Sequence, residues 1–389
     1  MFSLFRNHRQ AGKCWAALVM FILTLGPALA PQGFARPNVG VDFDAGVFVS
    51  DNPFLLPGKD VGAAAADVAA RPYLDWDLEP RTKVEFTGEV GFRQYHRRYG
   101  NFVTGFADLQ LQHRRNEYLS VGGQVVYDRS LVSDPLTDSL DFAFDSRGIH
   151  ESVEARPTVA WNPNARVSVT ADMGWRKLRY PGSILLQPTN AYDAGLIASK
   201  QISAVMSLGA QARITSTSAA DGSDTSVKAL GLVTSRRFSN NWHADAQLGV
   251  EWTTLDDPVG PDDDKRSQFN GSFSLCHEPR RTVVCVTGAI RSEVSGFGGL
   301  QREKTIGATV NRRISQWGTI TAELDARRAN IPEYRNPASL LRASGGYEHQ
   351  MDRNIFLTSS ATYMQRKLLG QQVGAVTFQV GLSIRGART

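Results

Sequence analysis

From Val39 onward the chain repeats a single pattern: ten to thirteen residues of alternating apolar and polar character, then a turn. Residues 242–252 show it most cleanly. Trp242, Ala244, Ala246, Leu248, Val250 and Trp252 fall on one face of an extended segment, and His243, Asp245, Gln247, Gly249 and Glu251 fall on the other. Successive strand side chains point to opposite sides of a sheet, so the segment divides an apolar surface from a polar one. Two kinds of fold use that division. A soluble sheet buries its apolar face against a second layer, whereas a transmembrane barrel turns it to lipid and sets Trp and Tyr at the two interfaces.

The segments run from Val39–Val49 to Val373–Arg385 and number eighteen, an even count of the kind single-chain bacterial barrels carry. Their connections alternate in length. Those after even-numbered segments are short, such as Glu79-Pro80-Arg81, Pro163-Asn164 and Ile202-Ser203; those after odd-numbered ones are longer, such as 130–149, 254–266 and 329–338. This is the asymmetry of an outer-membrane barrel. Trp76, Trp161, Trp175, Trp242 and Trp252 lie on apolar faces near segment ends, where they would form aromatic girdles. A soluble sandwich would bury its tryptophans mid-strand. The expected fold is all-β: a transmembrane antiparallel up-and-down β-barrel of about 18 strands, with short periplasmic turns and longer external loops.

Composition fits. Mean hydropathy is only −0.26, and no stretch approaches the roughly 20 apolar residues of a spanning helix. The longest apolar run, Cys14–Leu25, follows Arg6, His8, Arg9 and Lys13 and precedes Gly-Pro and small residues, the order of a secretory signal peptide. Residues 1–35 are therefore expected to be the signal, with residues 36–389 forming a single barrel domain. Loss of Arg6, Arg9 and Lys13 lowers the formal charge from +5 to +2, which with export argues against nucleic acid as a partner. The two cysteines left, Cys276 and Cys285, flank one tight turn on the polar phase of their segments, and an oxidising compartment favours a disulfide between them. No cofactor or metal site is expected, since His277 alone cannot complete a zinc ligand set.

The polar faces carry charges of both signs. Lumen-facing candidates are Arg93, Arg156, Arg176, Arg213, Asp245, Glu251, Glu323, Asp325, Arg327 and Arg342, with Lys228 and Arg236 on the same polar reading. Rings of one sign would imply ion selectivity. Mixed signs suggest instead a lattice of ion pairs lining a wide wall. The long loop 130–149, with Asp134, Asp138, Asp141 and Asp145, is the candidate constriction, and the acidic loop Asp256–Asp264 is expected to be a solvated external loop. No Ser, His and carboxylate can be set on one face without assuming the register of the fold, so an enzyme is not expected.

The opening strand and loop, Asp44-Ala-Gly-Val-Phe-Val-Ser-Asp-Asn-Pro-Phe54, resemble the first strand of outer-membrane β-barrels of the beta-barrel porin 2 type, as does the cysteine hairpin followed by Ser295-Gly-Phe-Gly-Gly299. Members of that group are associated with exopolysaccharide gene clusters. The resemblance implies passive passage of small hydrophilic solutes or export of a secreted polysaccharide, with outer-membrane lipid and the barrel-assembly machinery as partners. In one respect the chain departs from the pattern: it ends Leu382-Ser-Ile-Arg-Gly-Ala-Arg-Thr389, without the terminal aromatic such barrels present to that machinery. The rival expectation is a non-conducting structural barrel or surface adhesin.

Overall fold

The computed structural model describes residues 37–389 except 59, 133–140, 142–147, 184–185, 221–223, 257–263, 297–298, 330–336 and 387–389. The signal-peptide expectation over 1–35 and most of the two acidic loops thus lie outside the described residues.

Eighteen strands follow one another: β1 (Asn38–Ser50), β2 (Ala63–Glu79), β3 (Thr82–Tyr95), β4 (Asn101–Arg114), β5 (Leu119–Leu131), β6 (Ile149–Asn164), β7 (Val167–Arg179), β8 (Thr189–Ser203) and β9 (Met206–Ala219), then β10 (Asp224–Arg237), β11 (Trp242–Asp256), β12 (Asp264–His277), β13 (Thr282–Ser295), β14 (Gly299–Arg313), β15 (Gly318–Ala329), β16 (Ala338–Gln350), β17 (Ile355–Leu368) and β18 (Gln371–Ile384). Each pairs antiparallel with its sequence neighbours. β1 also pairs with β18, from Phe43↔Ile384 to Ser50↔Thr377, which closes the sheet on itself.

The alternation decides which way each side chain faces. Directly opposed residues share a face, and the apolar phase is the outward one: Phe43, Leu232, Leu248 and Phe378 are all more than half exposed. Trp76, Trp161 and Trp242 lie on this outer face at the short-turn end; Trp175 and Trp252 lie on it at the loop end, beside Tyr192 and Phe269. Ten residues separate Trp242 from Trp252, about 33 Å of strand, which a tilt near 40° projects to about 25 Å, the height of an outer-membrane apolar band.

Four local departures matter. β2 starts at Ala63, ahead of its alternating part, and Ala63–Ala66 offers no alternation to read. Pro72 and Pro157 lack an N–H, and the β2–β3 and β6–β7 ladders skip them. The β17–β18 connection is only Leu369-Gly370, both with positive φ (52° and 82°), a tight hairpin turn where a longer loop was expected. Finally, β12 and β13 pair over only seven positions, Gly271↔Ile290 to His277↔Val284, against fourteen for β13–β14. Their loop-side halves part.

Candidate functional site: the lumen and its mouth

The inward phase builds a charged wall. Arg156 on β6 reaches Asp172 (2.6 Å), Asp193 (2.9 Å) and Glu154 (3.1 Å); Arg213 on β9 reaches the same two aspartates at 3.2 and 2.7 Å; Arg176 reaches Glu154 at 2.6 Å. Three cations meet three carboxylates. Gly174 and Gly195 make room for them, since a Cβ at either would fall 2.1 Å from Asp193 Oδ1 or 2.5 Å from Asp172 Oδ1. Across β1–β3, Arg71 joins Asp44 (2.5 Å) to Glu89 (2.6 Å). Arg71 and Arg156 each directly precede a strand proline, which holds them extended, at a place where the ladder is broken. Farther round, Arg327 reaches Asp325 (2.6 Å) and Glu303 (3.6 Å), and Arg342 reaches Glu323 (3.6 Å). Such part-exposed pairs contribute little stability each, about 1 kcal/mol or less. Their effect is to cancel the wall's charge pairwise.

The register places Arg93, Arg156, Arg176, Arg213, Asp245, Glu323, Asp325, Arg327 and Arg342 on the inward phase. Arg93 lies over the Phe48 ring, and Asp245 makes no ion pair among the described residues. Glu251 keeps the inward phase read from sequence but does not line open lumen. It is inward by register but only 2% exposed, and it accepts from Ser292 Oγ (2.9 Å) and Arg302 Nη1 (3.0 Å) where β12 and β13 part. Lys228 and Arg236 are corrected: Lys228 stands opposite Trp252 and Arg236 opposite Ala244, so both are on the outer face. The long stems of Lys and Arg explain this, since they lie along apolar surface with the charge at the interface.

The loop-side mouth is the second part of the site, and alternation gave no warning of it. One contiguous buried cluster joins Leu55, Val132, Leu178, Tyr180, Leu186, Ala329, Ala338, Met364 and Ala375. β7 and β16, which supply Leu178 and Ala338, are nine places apart in a ring of eighteen. The cluster therefore crosses the barrel from side to side. Asn52 folds the first loop inward, donating to the Leu56 carbonyl and accepting from the Leu56 amide, both at 2.9 Å, and Arg366 donates to the Leu55 carbonyl at 2.8 Å. Beside it Phe54, fully buried, packs on Tyr95, Tyr99 and Phe102. Asp141, the one described aspartate of the four in its loop, is 1% exposed. It accepts from the Tyr180 hydroxyl, from Ser295 Oγ (2.6 Å) and from the Gly296 amide (3.2 Å). Burial, and next the Asp141 carboxylate, push the Tyr180 phenol well above its ordinary pKa.

Two groupings resemble catalytic or metal sites without the necessary chemistry. Asp128 accepts from Ser130 Oγ (2.8 Å) and meets His150 Nδ1 (3.2 Å), which leaves the carboxylate between the hydroxyl and the imidazole, so His150 is not placed to take the serine proton. His243, Cys276 and Glu278 bring ligand atoms within 4.8 Å of one another. Cys276, however, is bonded to Cys285 (S–S 2.06 Å) and has no thiolate to offer a metal.

No protein-family model matches the chain, and no curated protein does. Solved structures do. OccK2 (OpdF) of Pseudomonas aeruginosa superposes with a TM-score of 0.51 at 8% identity, covering 91% of this chain and 99% of that one; it has also been solved in complex with glucuronate. A BenF-like porin of Pseudomonas fluorescens Pf-5 gives a TM-score of 0.50 at 10% identity, over 90% and 99%. OccAB2 of Acinetobacter baumannii gives 0.50 at 9%, over 91% and 99%. The shared feature is the fold, a closed antiparallel barrel of eighteen strands.

Proposed function

We propose that the chain is a non-enzymatic outer-membrane channel that passes small hydrophilic solutes through a charge-balanced lumen constricted at its loop-side mouth. The observation that carries this reading is the division of the sheet into a mostly apolar outer phase, with tryptophans near both its edges, and a polar inner phase that carries the ion pairs. Lipid on one side and water on the other satisfy both. The named porins that share the fold lend it support. The route to the membrane would be export by the signal over residues 1–35 and insertion by the barrel-assembly machinery.

A secreted polysaccharide fits less well, because packed side chains cross the mouth. That same crossing favours the second reading, a non-conducting structural barrel or adhesin. Conductance of purified protein in a planar bilayer separates the two. The channel reading expects small openings in the native chain and larger ones when residues 53–56 are replaced by a Gly-Ser linker. No openings from either protein at any voltage would sink it. Heat-modifiable migration on a denaturing gel, together with recovery in the membrane fraction, checks the location.

A further inference from the structure

Above the apolar band, the outer face of β14–β17 is cationic. Lys304 stands opposite Arg328, Arg328 opposite Ser339, and Ser339 opposite Lys367, so three cations and a hydroxyl share one row on four adjacent strands. Three strand spacings make the row about 14 Å wide. Directly opposed like charges destabilise a sheet, so Lys304 and Arg328 call for a counter-charge. Among the described residues none of the three has an ion-pair partner; the neighbouring carboxylates Glu303 and Asp325 are on the inward phase and engaged by Arg327. Elsewhere on this rim some outward cations do have an acidic neighbour. Arg129 pairs with Glu151, which also stands opposite Arg179.

Beside this row the wall is dented. The β12–β13 ladder stops at Gly271↔Ile290, and from there a groove of about 720 Å³ runs along the outer surface. Phe269, Phe273, Leu248, Ile290, Ile306 and Leu341 line it, and Gly271 and Gly288 give it depth. Lys304, Arg328 and Lys367 stand at its edge.

We propose that this groove binds a phosphorylated, acylated lipid of the outer leaflet, with acyl chains laid along the apolar lining and phosphates on Lys304, Arg328 and Lys367. The Ser339 hydroxyl in the same row supplies a further donor. A lone interfacial lysine reaching toward head groups is ordinary. Three cations in register beside an apolar hollow, with no carboxylate among the described residues to neutralise them, form a complement to phosphate and chain together. The inference rests on the outer-membrane reading above.

The test uses the full mature chain reconstituted in phosphatidylcholine vesicles doped with either diphosphorylated lipid A or its dephosphorylated counterpart. After extraction in mild non-ionic detergent, native mass spectrometry counts the lipid retained per barrel. The phosphorylated lipid is expected to stay and the dephosphorylated one to be lost. Neutralising the row (K304Q/R328Q/K367Q) weakens retention on the order of a hundredfold, whereas K177Q/R179Q on the opposite wall leaves it unchanged. The charge-conserving K304R/R328K/K367R retains it. Equal retention of both lipids, or retention that survives neutralisation, overturns the proposal. Heat-modifiable migration checks each variant, and if the triple variant does not fold, R328Q alone is expected to weaken retention about fivefold. A native chain that never enters the vesicles overturns the outer-membrane reading instead.

Discussion

Leu55 is fully buried, yet its φ of 48° lies in the left-handed region, where a side chain with a Cβ is strained by roughly 1–2 kcal/mol. Asn52, Arg366 and the packing of the mouth cluster hold it there. Truncation by L55A should therefore loosen the first loop by about 2–4 kcal/mol, measured as faster hydrogen exchange at the Leu56 amide. Tyr180 supplies a pH dependence. Its folded pKa is raised above the ordinary value of 10.0, so its contribution is complete below about pH 10 and is lost as the pH climbs past that toward the folded value. Conductance should rise above about pH 10 in the native chain and rise less steeply in Y180F, which has no phenol proton to lose. Neither Leu55 nor the Asp141 partner of Tyr180 could be singled out from sequence. Leu55 lies in a loop without alternation, and Asp141 is one of four similar aspartates whose difference comes only from Tyr180 and Ser295 meeting it in space.

At the scale of elements, alternation was enough to find eighteen strands and the phase of each, because one period-2 signal sets both. It failed where the two faces carry the same kind of residue, as at Ala63–Ala66. It also failed where a charge has a long stem, as at Lys228 and Arg236. The parting of β12 from β13 was invisible, since both strands alternate through it and the defect belongs to their register. The Cys276–Cys285 bond sits on this same pair, at the turn-side end of its short ladder. Reduction, or C276S/C285S, should raise hydrogen exchange over residues 271–277 and 284–290 while the fully zipped β13–β14 pair stays protected. Equal change in both pairs would show that the bond does not act on this seam.

For the molecule as a whole, the paired lumen predicts weak charge selectivity. Under a salt gradient the native chain, conducting as proposed, should show a reversal potential near zero. R156Q leaves Asp172 and Asp193 with Arg213 alone and should shift that potential toward cations; an unchanged potential would mean ions do not pass this cluster. The porin-like fold was legible because barrel closure follows from repeated hairpins. The crossed mouth was legible only in part: loop 130–149 stood out as a candidate constriction, but its partners on the opposite wall did not, because they meet it across nine strands.

The parted seam also has a mechanical meaning. A closed cylinder of hydrogen bonds resists tearing because no rim pair can yield alone, but β12 and β13 begin already separated at the loop end, like a notch cut into the edge of a tube. A disturbance of the rim concentrates there and runs downward one bonded pair at a time. At Cys276 and Cys285 it meets a covalent link that no thermal fluctuation opens. The crack stops short of the turn, and the ring below stays whole.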